Sequence, residues 1–148
     1  MPRETPIVTS SEELVNHCFG CSPLNPHGLH LQFVVDAHDI AAISASATIQ
    51  LTRAHEGAPG WAHGGIIATM LDEAMTKLNR AFSVTAPTRH LEIDCLRPVP
   101  LGAELKVVSQ HVRRDGRKLF HTAEIIGPDG KTLAKAKGLF VVISSPVS

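Results

Sequence analysis

His63-Gly64-Gly65 opens the amphipathic stretch HGGIIATMLDEAM, and Asp72 follows nine residues after His63. Two tools of acyl-group hydrolysis fall within this one segment. The first N–H groups of a helix have no internal partner and lie at the positive end of its dipole. They can stabilise an oxyanion as it develops, each donor contributing about 10²–10³ in rate. Glycine lets a carbonyl approach the backbone closely. The carboxylate of Asp72 would stand two to three turns further along the same helix. It could act as a general base for water, at about 10²–10⁴ in rate, or as a nucleophile through a mixed anhydride. The sequence leaves that choice open. The bland reading is a tight loop-to-helix turn followed by a solvated acid. Glu73 is the second candidate acid, but it points about 100° away at helical pitch, toward solvent or an interface.

These residues need elements to position them. Ile67, Met70, Leu71, Ala74, Met75, Leu78 and Phe82 fall within an arc of about 140° at 100° per residue, the stripe of a helix laid on a sheet. Asp72 lies about 60° beyond the edge of that stripe, beside Ala68 and Asn79. Upstream, Ser10-Ser11-Glu12-Glu13 reads as a helix start, with a short helix to about His17. The stretch 18–28 is rich in Gly, Pro and Asn and reads as an ordered loop. Leu29, Leu31, Phe33 and Val35 alternate with mostly polar neighbours, as do Ile43, Ala45, Ala47, Ile49 and Leu51. The loop HEGAPGW (55–61) leads into the helix.

Four more strand-like runs follow Pro87. Asp115-Gly116 and Asp129-Gly130 mark hairpins between them. The last run is apolar on both faces from Leu139 to Ile143 and belongs inside the sheet. The expected architecture is α+β: a six-stranded antiparallel sheet around one long central helix, plus a short N-terminal helix. One helix cannot cover six strands, so the exposed remainder should meet another subunit.

The 148 residues suit one domain with a real core, and the 43% hydrophobic and 19% charged content is that of a soluble globular chain. Fourteen basic and 14 acidic side chains give zero formal charge, which argues against nucleic acid or an anionic membrane as the main partner. No apolar run approaches the ~20 residues that span a bilayer. The N-terminus lacks an apolar signal core. Three cysteines are an odd count for a disulfide framework and point to reduced thiols and a cytoplasmic setting. Cys18-Phe19-Gly20-Cys21 invites a zinc reading, but two further ligands would be needed. Cys95 falls on the apolar side of a strand and reads as a small buried hydrophobe; no metal is expected. Neither a phosphate-binding glycine loop nor a GxSxG elbow is present.

The segments CFGCSPLNPHGLHL (18–31), HEGAPGWAHGGIIATMLDEAM (55–75) and PTRHLEIDCLRPVPLG (87–102) resemble the hotdog-fold thioesterases, specifically the PaaI-like acyl-CoA group. The resemblance covers nearly the whole chain and implies a single hotdog domain over 1–148, with 1–28 as N-terminal helix and cover loop. It implies an acyl-CoA thioesterase that releases a carboxylic acid and CoA without metal or redox cofactor. The alternative on the same fold is a domain that binds acyl-CoA without hydrolysing it. By position, Asp72 matches the catalytic acid and Gly64 the oxyanion donor, with Gly65 permitting close packing. Thr88 matches a Ser/Thr that orients the water or carboxylate, and the resemblance places it in the partner subunit. His63 would fix the helix start or contact the thioester. His55, Glu56 and Trp61 would line the site, and Asn25 of the cover segment would touch ligand. Arg89, Arg97, Arg113, Arg114, Arg117 and Lys118 are candidates for holding CoA phosphates. The implied assembly is a homodimer or a dimer of dimers.

Overall fold

Residues 15–145 are described in a computed structural model of the chain, which divides into two compact units, Met1–His30 and Leu31–Ser148. The short helix expected from Ser10 begins outside the described residues, and Val15–His17 are not helical. The described part of the first unit is a run of turns stitched by its own polar groups. Asn25 spends its side-chain amide there: Nδ2 donates to the His17 carbonyl at 3.2 Å and Oδ1 accepts from the His27 N–H at 3.0 Å. Gly28 is obligatory, because a Cβ would stand 2.5 Å from the Phe19 carbonyl oxygen.

The second unit is one antiparallel sheet and one helix. Its strands are β1 (Val34–Asp36), β2 (Ser44–Gln50), β3 (Thr88–Cys95), β4 (Glu104–Asp115), β5 (Lys118–Ile126) and β6 (Thr132–Val141). They lie in the order β1-β2-β4-β5-β6-β3. The first strand is shorter than the alternation from Leu29 suggests, because His30 takes a left-handed φ of 53° and interrupts the extended run. Both expected hairpins form, with Gly116 at φ 58° and Gly130 at φ 80°, values that glycine adopts without strain. β6 lies between β5 and β3, as its two apolar faces require.

Helix α1 (Gly64–Thr76) continues as a 3₁₀ segment, Lys77–Phe82. Ile67, Met70, Leu71, Ala74, Met75 and Leu78 of the expected stripe are buried against the sheet. At about 25 cal/mol per Å² of apolar surface this burial is the main force holding helix to sheet. Two sheet residues fix their approach. The Ser109 hydroxyl donates to the Ala74 carbonyl at 2.6 Å. Gly138 has no side chain where a Cβ would meet the Phe140 ring at 2.8 Å and Met75 Sδ at 3.0 Å. This is the hotdog arrangement. No helix among the described residues is long and apolar enough to cross a membrane.

Two sequence expectations fail here. Glu73, expected to face solvent or an interface, is buried and paired with Lys77 Nζ at 3.2 Å, one helical turn on, which overturns the solvent half of that expectation. Cys95 is exposed; β3 is an edge strand with a neighbour on one side only, so the side chains at its end lack cover in the single chain.

Candidate active site

His63 is the N-cap of α1, and its Nδ1 accepts the Gly65 N–H at 2.9 Å. The Ile66 and Ile67 N–H groups both turn to the His63 carbonyl, at 2.9 and 3.1 Å. That leaves the Gly64 N–H unbonded among the described residues, at the positive end of the dipole. The two glycines differ in surroundings. A Cβ on Gly65 would crowd His63 Nδ1 at 3.1 Å, whereas one on Gly64 would meet nothing within 4 Å. Gly65 therefore makes room for the cap, and Gly64 leaves its N–H open to an incoming group.

The loop before the helix is built by residues expected to line a site. His55 Nδ1 accepts the Thr52 N–H at 3.0 Å, and Glu56 Oε2 accepts the Gly60 N–H at 3.1 Å. The His55 carbonyl accepts the His63 N–H at 2.9 Å. Burial pushes the His55 imidazole below its ordinary pKa. Both side chains thus shape the turn that aims Gly64. Trp61 remains 44% exposed, so its ring is available to flank whatever meets the helix start.

Asp72 is half-buried on the flank of α1, as its helical angle suggests. The Thr88 hydroxyl donates to Asp72 Oδ1 at 2.6 Å within the same chain. The expectation that Thr88 reaches the acid from a partner subunit is therefore corrected: helix flank and strand start belong to one molecule. A bulge makes the contact possible. Thr88 pairs with Phe140 and His90 with Leu139, leaving Arg89 as the extra residue. Without it, Thr88 would share the outward face of His90, Glu92 and Asp94. With it, Thr88 stands opposite the buried Phe140 and turns to the helix. Burial pushes the Asp72 carboxyl above its ordinary range; the Thr88 hydrogen bond opposes this and the Glu73 charge adds to it.

The expected basic residues do not form one surface. The row Thr88, Phe140, Leu119, Arg114 runs across neighbouring strands, so Arg89 and the Asp115-Gly116 hairpin share one end of the sheet. Arg113 lies 3.9 Å over the Phe120 ring, and Arg114 Nε donates to the Gly116 carbonyl at 2.9 Å. Arg117 and Lys118 are exposed there. Arg97 is a whole strand away, beyond the far end of β3, where its N–H meets the Leu133 carbonyl. A groove of about 420 Å³ on the outward sheet face is lined by Glu92, Gln110, Thr122, Glu124, Lys135 and Lys137 among others. It holds none of the candidate residues.

Sequence reasoning missed a polar chain beneath the helix extension. His111 Nδ1 lies 3.2 Å from His121 Nδ1, and His121 Nε2 lies 2.8 Å from Asn79 Oδ1. Asn79 Nδ2 donates to the Ala86 carbonyl at 3.1 Å. His121 is 1% exposed. Its burial, reinforced by His111 and opposed by a Phe120 backbone hydrogen bond, pushes its pKa from 6.5 down to about 4. His111 is also lowered, by burial and by Arg114.

A stability signature follows. A histidine kept neutral by the fold takes up its proton more readily when unfolded. The contribution of His121 to stability is therefore present above pH 6.5 and is lost as pH drops toward about 4. The span corresponds to about 3 kcal/mol. Urea unfolding at pH 7.5 and 4.5 should show that loss in the wild type and a smaller one in His121→Gln.

A single helix lying on a six-stranded antiparallel sheet, with its N-terminus open, defines a hotdog-fold domain. Residues 59–134, over half of the chain, match the thioesterase superfamily, and the chain belongs to that superfamily. It is 40% identical over 87 residues to the acyl-coenzyme A thioesterase THEM4 of Bos taurus, a match covering 58% of this chain and 35% of the relative. The match thus spans about a third of that relative's length. A phenylacetic acid degradation-related protein of Ralstonia eutropha JMP134 is 27% identical with a TM-score of 0.65, over 74% of this chain and 84% of that one. A Streptococcus mutans UA159 protein solved with acetyl CoA has a TM-score of 0.70 at 18% identity, over 89% of this chain and 100% of that one. At that identity the likeness concerns the fold alone.

Proposed function

We propose that this chain is an acyl-CoA thioesterase, hydrolysing acyl-CoA to a carboxylic acid and CoA. The observation that carries the reading is the 2.6 Å hydrogen bond from Thr88 to Asp72. It engages Oδ1 and leaves Oδ2 to take a proton from water or to attack the thioester carbon. The raised pKa of Asp72 makes it a stronger base than an ordinary carboxylate. The Gly64 N–H would take the oxyanion of the tetrahedral intermediate, and CoA would leave as the thiol. The THEM4 relative, an acyl-coenzyme A thioesterase, supports this substrate class.

One chain does not complete the site. Gly64 and Asp72 are eight residues apart, about 12 Å along the helix axis. A thioester carbonyl needs the donor and the attacking oxygen each at about 3 Å. The Gly64 end of one copy therefore works with the Asp72–Thr88 pair of a second, in a two-fold dimer or a dimer of dimers. Trp61, exposed beside the helix start, flanks that junction. Arg89 and the basic hairpin lie on the Asp72 side, where they can face CoA phosphates. The cytoplasmic setting drawn from the cysteine count stays part of the reading.

The test is thiol release from short, long and aromatic acyl-CoAs. Inactive Gly64→Pro and Asp72→Asn dimers are then unfolded, mixed and refolded together. Half of the resulting dimers carry one intact site of two, so about a quarter of wild-type activity should return. No recovery would place both halves in one chain. Binding of acyl-CoA without turnover by the wild type would make the domain a binding module.

A further inference from the structure

Asp72 and Asn79 lie two turns apart on one helical rod, and both reach the segment that starts β3. Asp72 meets Thr88, and Asn79 meets the carbonyl of Ala86, two residues earlier. The sheet holds the same segment from its other side: the Thr85 N–H donates to Ser144 and the Val141 N–H to the Pro87 carbonyl, at 2.9 and 3.2 Å. Asn79 is the buried tie on the helix side, 4% exposed.

The polar chain behind Asn79 has a direction. With Nδ2 on the Ala86 carbonyl, Oδ1 faces His121 Nε2, so that nitrogen carries the ring proton. His121 Nδ1 is then an acceptor, and His111 Nδ1 donates to it. The other His121 tautomer would turn the Asn79 amide over and set its oxygen against the Ala86 carbonyl. Arg114 is the nearby cation acting on His111, and the Phe82 and Phe140 rings flank the two imidazoles at 4.8 and 5.2 Å. On the reading that Asp72 and Thr88 are catalytic, we infer that Asn79 is a positioning residue for Thr88, with His121 fixing the orientation of its amide. The chain His111, His121, Asn79, Ala86 holds the strand start where the Thr88 hydroxyl meets Asp72.

The test reads the Asp72 carboxyl directly, by carbon-13 NMR titration of the ligand-free protein, and so does not depend on turnover. Thr88→Val should shift the Asp72 titration upward, because a hydrogen bond to the carboxylate is lost. Asn79→Ala and His121→Leu should shift it the same way, and adding Asn79→Ala to Thr88→Val should shift it no further. His121→Gln, whose amide can still donate to Asn79, should keep the wild-type titration and covers the case in which His121→Leu fails to fold. With acyl-CoA, Asn79→Ala should lower kcat about five-fold, the worth of one hydrogen bond, with KM nearly unchanged. That loss should vanish in the Thr88→Val background. An Asp72 titration unmoved by Asn79→Ala but moved by Thr88→Val would overturn the inference. So would equal further shifts in both backgrounds. A wild type that turns over no acyl-CoA would instead overturn the thioesterase reading, leaving the NMR result to stand alone.

Discussion

Proline at position 64 is expected to lower kcat by about 10²–10³ while leaving the melting temperature near that of the wild type. The substitution deletes the one N–H that the helix start leaves unbonded and little else. Position 64 is the first residue of α1, where proline is favoured because no internal hydrogen bond is lost. The residue before proline must be extended, and His63 already is, with φ −64° and ψ 139°. A Cβ at 64 meets nothing within 4 Å. The His63 cap on Gly65 is untouched. Steady-state kinetics beside a thermal melt checks this. Wild-type kcat in a folded Gly64→Pro protein would remove Gly64 from the mechanism.

Asp72→Asn should lower kcat/KM by about 10²–10⁴ and erase the acidic limb of its pH profile. The carboxylate must be ionised to act, so activity rises with pH through its pKa, which burial has raised. Thr88 opposes that rise by donating to the ionised form. In Thr88→Val the protonated form gains, and the limb moves to higher pH. Profiles of kcat/KM report the free protein. A limb that stays put in Thr88→Val, or survives in Asp72→Asn, would assign it to another group.

Local pattern made much of this legible. The helix stripe and the flank position of Asp72 follow from 100° per residue, because neighbours three and four apart share a face whatever the rest of the chain does. The hairpins follow from Asp-Gly pairs. The bulges at Arg89 and Val112 do not. Strict alternation places Thr88 on the outward face with His90, and only the extra residue Arg89 turns it inward. Likewise, counting outward from Asp115-Gly116 pairs His111 with Thr122. The register shift between His111 and Arg113 pairs it with His121 instead. A bulge is decided by the neighbouring strand and the layer above it, so its cause lies far away in sequence. Glu73 and Cys95 failed for a related reason: burial depends on what covers a face, and the periodicity of one element does not contain its neighbours.

Gly138 gives the sheet a thickness that matters to chemistry at some distance. With no side chain on β6 at that point, α1 settles onto the strand through Met75, and Asp72 rides on the same rod. The bare backbone acts as a machined shim. A side chain there would press first on the Phe140 ring of the same strand and then on the Met75 thioether. Whatever those side chains did not absorb by moving would pass to the helix that also carries the other contact between the layers, where a hydroxyl on β3 reaches a carboxylate across 2.6 Å. Fit in the core and reach at the acid thus share one helix, above a buried residue with no side chain.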